Sequence, residues 1–183
     1  MHARIVALLD ELGIASVAVE PRNFSQVYHT ISVLGEITHN SPGAEEVIAG
    51  MQRKIAGVEE QVHNREVPGV FWILSEEPLM SAGGETFVSE AIALAGGRNI
   101  FEDLQEQWPL VSPEQVLLRR PHWVLLGDDA QTPVEQFQRN PLWQILPAVR
   151  EDRVHIINAD IFYRYGPRLA DAVESLAAIF HGL

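Results

Sequence analysis

The chain has no cysteine. That removes disulfides, thiolate nucleophiles and sulfur-rich metal sites together, and it leaves oxidising and reducing compartments equally open. Basic residues are scarce as well: 13 Lys and Arg stand against 25 Asp and Glu, a formal net charge of -12. Duplex binding needs a basic footprint that neutralises phosphates. Only Arg53-Lys54 and Arg119-Arg120 put two basic side chains side by side, so nucleic acid is not an expected partner. Long hydrophobic runs are missing too. A membrane-spanning helix takes about 18 or more apolar residues, and the longest candidate, Phe87 to Ala95, is interrupted by Ser89 and Glu90. The N-terminal stretch is broken by Asp10 and Glu11 and lacks a small-residue cleavage box, so no signal peptide is expected. What is present reads as an ordinary folded chain. With 46% apolar and 21% charged residues over 183 positions, there is enough for one well-buried domain or two small ones.

Apolar spacing gives the order of elements. Ile5, Leu8, Leu9 and Leu12 predict a helix that Gly13 stops, and Ala15 to Val19 predicts a short strand. Val27, Ile31 and Leu34 mark a second helix up to Gly35. The longest helix is expected from Pro42 to about Arg65: Val47, Met51, Ile55, Val58 and Val62 step by three and four, and Ser41-Pro42 is a sound start. Beyond Pro68 the pattern changes. Val70 to Leu74, His122 to Leu126 and Arg153 to Ile157 are continuous apolar or β-rich runs, the mark of strands buried on both faces. Between them lie a loop from Glu76 to Gly84, a helix from Thr86 to Ala95, a long connection over residues 98–111 and a short helix from Val116 to Arg120. Helical turns at Val134 to Gln138 and Leu142 to Ile145 follow, and a helix from Arg168 to Phe180 closes the chain. Such alternation calls for a small, mostly parallel sheet with helices on both faces. The strand at Ala15 to Val19 has no obvious neighbour in this scheme.

The runs LLDELGIASVAVEP, SEEPLMSAGGETFVSEAIALAGGRNIF, WPLVSPEQVLLRRPHWVLL and RVHIINADIFYRYGPRL resemble the substrate-binding proteins of bacterial metal-chelate ABC importers. That family takes cobalamin, haem or ferric siderophores, and the likeness is nearest to its cobalamin-binding members. The resemblance implies an α/β, helical-backbone (class III) periplasmic binding protein. Residues 1–40 would be a remnant of the N-terminal lobe, 41–66 the long connecting helix and 67–183 a three-layer C-terminal lobe. Most of the N-terminal lobe has no counterpart here, so a homodimer is expected to cover what that lobe would cover. The likeness further implies a periplasmic or cell-surface location and an ABC permease as partner. With no signal peptide, a chain complete as it stands would stay in the cytoplasm. The alternative function is a lone lobe that pairs with itself and holds no ligand.

Candidate site residues follow from the same likeness, each beside a plainer reading. Trp108, in a polar, proline-containing connection, is either a platform for a flat ligand or a plug tying the loop to its lobe. Met80 stands where the family has an aromatic cleft residue and is either a ligand contact or filler. Asp160 and Arg164 flank Ile161-Phe162-Tyr163 after the third strand. They can offer an acceptor and donors to the amides of a corrin, or simply form a helix cap and a local ion pair. Tyr163, with Tyr165, suits a ferric centre or a haem face. Glu114 would dock on permease arginines, although a carboxylate is favoured at a helix start in any case. The chelate is cargo, and no resident cofactor or metal is expected. The seven histidines are scattered, without HExxH or a pair at metal spacing, and no GxSxG elbow occurs. The acid pairs Glu76-Glu77 and Asp128-Asp129 fall in loops at strand ends; two acids in a cleft could be catalytic, but nothing in the surrounding sequence supports that role. No enzyme is expected.

Overall fold

The computed structural model describes residues 2–130 and 132–183, without the side chains of His2, Ala3 and Tyr163. Three helices come first: α1 (His2–Glu11), α2 (Phe24–Ile37) and α3 (Ser41–Val62). Asn23 caps α2 by accepting the Gln26 N–H at 2.9 Å. The second and third helices approach closely at Gly35, where an added Cβ would come within 2.5 Å of the Ala44 Cβ. Along α3 the expected stripe is buried at Met51, Ile55, Val58 and Val62, whereas Val47 is exposed. The helix runs on through Gly50 and Gly57 without a break.

Between α1 and α2 the expected strand does not form. Residues 14–20 carry no regular secondary structure and are exposed. A strand takes its hydrogen bonds from a neighbour, and among the described residues no strand pairs with this run. Its β-branched side chains alone cannot supply that.

The second half opens with β1 (Gly69–Ile73), then β2 (Ser75–Glu76) and β3 (Leu79–Met80), α4 (Phe87–Leu94) and β4 (Arg98–Asn99). It continues with α5 (Pro113–Arg119), β5 (Trp123–Gly127), α6 (Val134–Arg139), α7 (Pro147–Arg150), β6 (Val154–Ile157), α8 (Ala159–Tyr163) and α9 (Leu169–His181). The sheet has four parallel strands in the order β4-β1-β5-β6, one more than expected, because Arg98 and Asn99 pair with Gly69 and Val70 inside what read as a connection. A two-residue strand leaves no periodicity to detect. The expected loop from Glu76 to Gly84 likewise contains an antiparallel hairpin, β2–β3.

Successive side chains of β1 and β5 point to opposite faces, and two cores result. Val70, Trp72 and Leu125 meet α3, α4 and α9 on one side. Phe71, Ile73, Val124 and Leu126 meet Val116, Phe137, Trp143 and Ala148 on the other. This is the three-layer arrangement that the buried runs imply. Leu169, Val173, Leu176 and Phe180 form the buried face of α9, as expected. The connection leaving β1 runs toward β4, and the one leaving β5 runs the opposite way toward β6. The chain therefore reverses its direction of winding between β1 and β5.

Candidate functional site

The candidate residues are positioned by segments that follow the carboxyl ends of the parallel strands, where open α/β sheets present their ligand crevice. After β1, residues 80–84 zip onto residues 104–110. Met80 bridges Leu110, the Ser81 N–H donates to the Pro109 carbonyl at 3.1 Å, and the Gly83 N–H donates to the Gln107 carbonyl at 2.9 Å. A Cβ at Gly83 would lie 1.8 Å from the Glu106 carbonyl oxygen, so only glycine permits this approach. The zip puts half-buried Met80 close along the chain pairing to Trp108. Trp108 packs against the core beneath it yet keeps a half-exposed face. It shares a small recess with Pro21, Phe87 and Tyr165, and the Tyr165 ring stands edge-on to Phe87 with centroids 5.3 Å apart. Met80, Asp160 and Arg164 do not line that recess.

Asp160 and Arg164 belong to the segment after β6. Asn158 caps α8, and Asp128 Oδ1 accepts the Ala159 N–H at 3.0 Å, which fixes the entry to that helix. The Asp160 carboxylate accepts from Arg164 Nε and, at 3.3 Å, from Arg168. Hydrogen bonding from Arg164 is the main reason its carboxyl is held below the usual range, with Arg168 adding to it. The two residues thus satisfy each other at the surface, and a ligand amide would have to share that pair. The local ion pair of the plainer reading forms, while the helix cap is Asn158.

Glu114 is exposed in the first turn of α5. Ser112 and Gln115 form a reciprocal capping box there, and the Ser112 hydroxyl is the first cause lowering the Glu114 carboxyl. The helix start alone accounts for an acid at this position. The side chain of Tyr163 lies outside the described residues. Among the described residues no group of three or more His, Asp or Glu side chains could hold a metal ion.

A cavity of about 540 Å³ opens between the carboxyl ends of β1 and β5, lined in part by Glu76, Glu77, Asp129 and Trp143. The two acid pairs at strand ends were its only sequence signal. Asp128 does not line it; that Glu76, Glu77 and Asp129 share one concavity is set by the pairing of β1 with β5.

The periplasmic binding protein family profile matches residues 7–161. The chain belongs to that family. Membership agrees with the reading of a binding protein and not an enzyme. The vitamin B12-binding protein of Photorhabdus laumondii is 29% identical over 170 residues, 92% of this chain and 59% of that protein. The crystal structure of the periplasmic vitamin B12-binding protein of Vibrio cholerae superposes with a TM-score of 0.78 at 26% identity, covering 97% of this chain and 69% of that one. A periplasmic heme-binding protein from Roseiflexus, in apo form, gives 0.87 at 21% identity over 98% and 71% of the two chains, a likeness of fold alone. The chain spans about six-tenths of the length of the curated relatives it matches. The α/β architecture with a long helix, α3, leading into the C-terminal half is that of the family's helical-backbone class.

Proposed function

We propose that this chain is part of the solute-binding component of an ABC importer, with a metal chelate as cargo and a cobalamin-like corrinoid as the first choice. Residues 1–40 would be a portion of the N-terminal lobe, 41–66 the connecting helix and 67–183 the C-terminal lobe. The observation that carries the reading is the half-exposed Trp108 on a loop pinned to residues 80–84 at the carboxyl edge of the sheet. A corrinoid would lie on Trp108, with Met80 along one edge and the Asp160–Arg164 pair reaching its amide arms. The identity with vitamin B12-binding proteins supports this choice of cargo. Glu114 would dock on the permease, and family membership supports a periplasmic or cell-surface location.

Haem or a ferric siderophore is the second reading, favoured by Tyr165, 46% exposed beside Trp108, and by Tyr163. A self-pairing lobe without ligand is the third. Leu8, Leu12, Val17, Val19 and Leu34 are all exposed, and a homodimer would cover them. Calorimetric titration of wild type and Trp108→Ala with cobalamin, then haemin, tests these readings. Loss of an aromatic anchor should weaken corrinoid binding by about thirty-fold or more. Equal affinity in both proteins removes Trp108 from the site. Haemin binding without corrinoid binding moves the site to the tyrosines. No heat with either, together with a dimer by light scattering, leaves the self-pairing lobe.

A further inference from the structure

The pairing that carries Trp108 is a regular antiparallel ribbon, and its register fixes which side chains share a face. The Val111 N–H donates to the Leu79 carbonyl at 3.0 Å, the Ser81 N–H to that of Pro109 at 3.1 Å and the Gly83 N–H to that of Gln107 at 2.9 Å. Each bonded pair lies two residues from the next, so Met80 stands opposite Leu110 and Ala82 opposite Trp108. Side chains alternate along each strand, and directly opposed residues project to the same side. Met80, Ala82, Trp108 and Leu110 therefore share one face, and Leu79, Ser81, Pro109 and Val111 share the other. The packing agrees. Ala82 and Trp108 join the core that holds Trp72, whereas Leu79 and Val111 join the core that holds Phe71.

The first of those faces brings Leu110 beside the two candidate contacts. Leu110 is 67% exposed, while its neighbours Pro109 and Val111 are buried. A lone exposed leucine needs no explanation. Leu110 is not alone. It forms a non-hydrogen-bonded pair with half-buried Met80, the arrangement in which opposed side chains come closest. Along its own strand it stands two residues, about 7 Å, from half-exposed Trp108. Met80, Leu110 and Trp108 thus make one apolar strip with no ionisable side chain in it.

We propose that Leu110 is a further contact of the cargo, and that the strip receives the hydrocarbon rim of the chelate rather than its polar arms. A leucine side chain offers no hydrogen bond, so an amide or carboxylate laid on it would lose water and gain no partner. Methyl or ring edges lose nothing there and hide apolar surface on both sides. The inference rests on the chelate reading and adds to it a residue that sorts chelates by the character of their edge.

The test is calorimetric titration of the full chain, of Leu110→Ser and of Trp108→Ala with cobalamin and with haemin. Leucine methyl resonances are followed in parallel. Leu110→Ser should weaken whichever chelate the wild type holds by about fivefold or more, because it removes apolar contact and leaves the Trp108 ring in place. Its urea unfolding should match that of wild type, since the side chain is exposed, and this separates a lost contact from a lost fold. The Leu110 methyl signals should shift on titration, and those of Leu183, beyond α9, should not. Weaker binding in Trp108→Ala with undiminished binding in Leu110→Ser overturns this inference and leaves the chelate reading standing. Leu110 methyl signals that stay still as the wild type fills do the same. A wild type that binds neither chelate overturns both.

Discussion

Trp72 on β1 and Phe162 on α8 meet edge to face, with ring centroids 4.8 Å apart and planes inclined at 66°. Trp72 is fully buried and Phe162 nearly so. The contact ties α8, which carries Asp160, to a central strand. Phe162→Ala should cost about 3 kcal/mol or more, the range for deleting a buried phenyl ring. Urea unfolding measures this, and a loss below about 1 kcal/mol would show that α8 is held by its caps instead.

How much of this was legible in the sequence depends on how many residues each feature spans. The stripe from Met51 to Val62 and the runs VFWIL and HWVLL are long enough for periodicity or its absence to show, and α3, β1 and β5 lie where the sequence puts them. Arg98–Asn99 and Ser75–Glu76 are two-residue strands whose identity rests wholly on their partners. The run Ala15 to Val19 shows the converse: strong β character without a partner gives no strand. At the site, the sequence offers Asp160 and Arg164 either as ligand contacts or as a helix cap with a local ion pair, and the ion pair forms. The convergence of Glu76, Glu77 and Asp129 depends on strand register, which no local pattern encodes.

Gly83→Ala should open the zip that carries Trp108. The new methyl would meet backbone oxygens of Glu106 and Leu104 at 1.8 and 2.9 Å, and neither can move without its loop. A destabilisation of about 3 kcal/mol is expected. Hydrogen exchange gives the sharper reading: the Ser81 and Gly83 amides should lose protection. Unchanged protection would mean that the pairing survives the methyl.

Asn99 is buried and fully engaged. Its Nδ2 donates to the Ala82 carbonyl at 2.8 Å and to Ser89 Oγ at 3.2 Å, and its Oδ1 accepts the Phe101 N–H at 3.1 Å. Asn99→Ala strands those partners, so about 2 kcal/mol or more should be lost in chemical unfolding. A neutral result would show that water replaces the amide.

Acid titration should reveal the Asp103–Arg119 pair. Arg119 Nη1 and Nη2 donate to the two Asp103 oxygens at 2.6 and 2.9 Å. Hydrogen bonding from Arg119 is the main cause that lowers the Asp103 carboxyl. A carboxyl lowered in the folded state adds stability above its unfolded value, near pH 4, and that stability is lost as pH falls through the folded value. Wild type should thus exceed Asp103→Asn by under about 1 kcal/mol at neutral pH, as for exposed ion pairs. The gap should close in strong acid. A gap independent of pH would assign the effect to packing.

The close approach of Gly35 to Ala44 has a mechanical consequence. With no room for a side chain between them, α2 cannot slide along α3 and travels with it. The buried grip on α3 lies toward its other end, from Met51 to Val62, reinforced by Lys54 on Asp171 of α9. At the start of α2 the Phe24 N–H donates to Glu90 of α4 at 2.8 Å, and Phe24 and Val27 enter the same core as α4. The Ser41 end of α3 is therefore fastened to the second half through α2 as well, and the two helices resist bending as a braced pair.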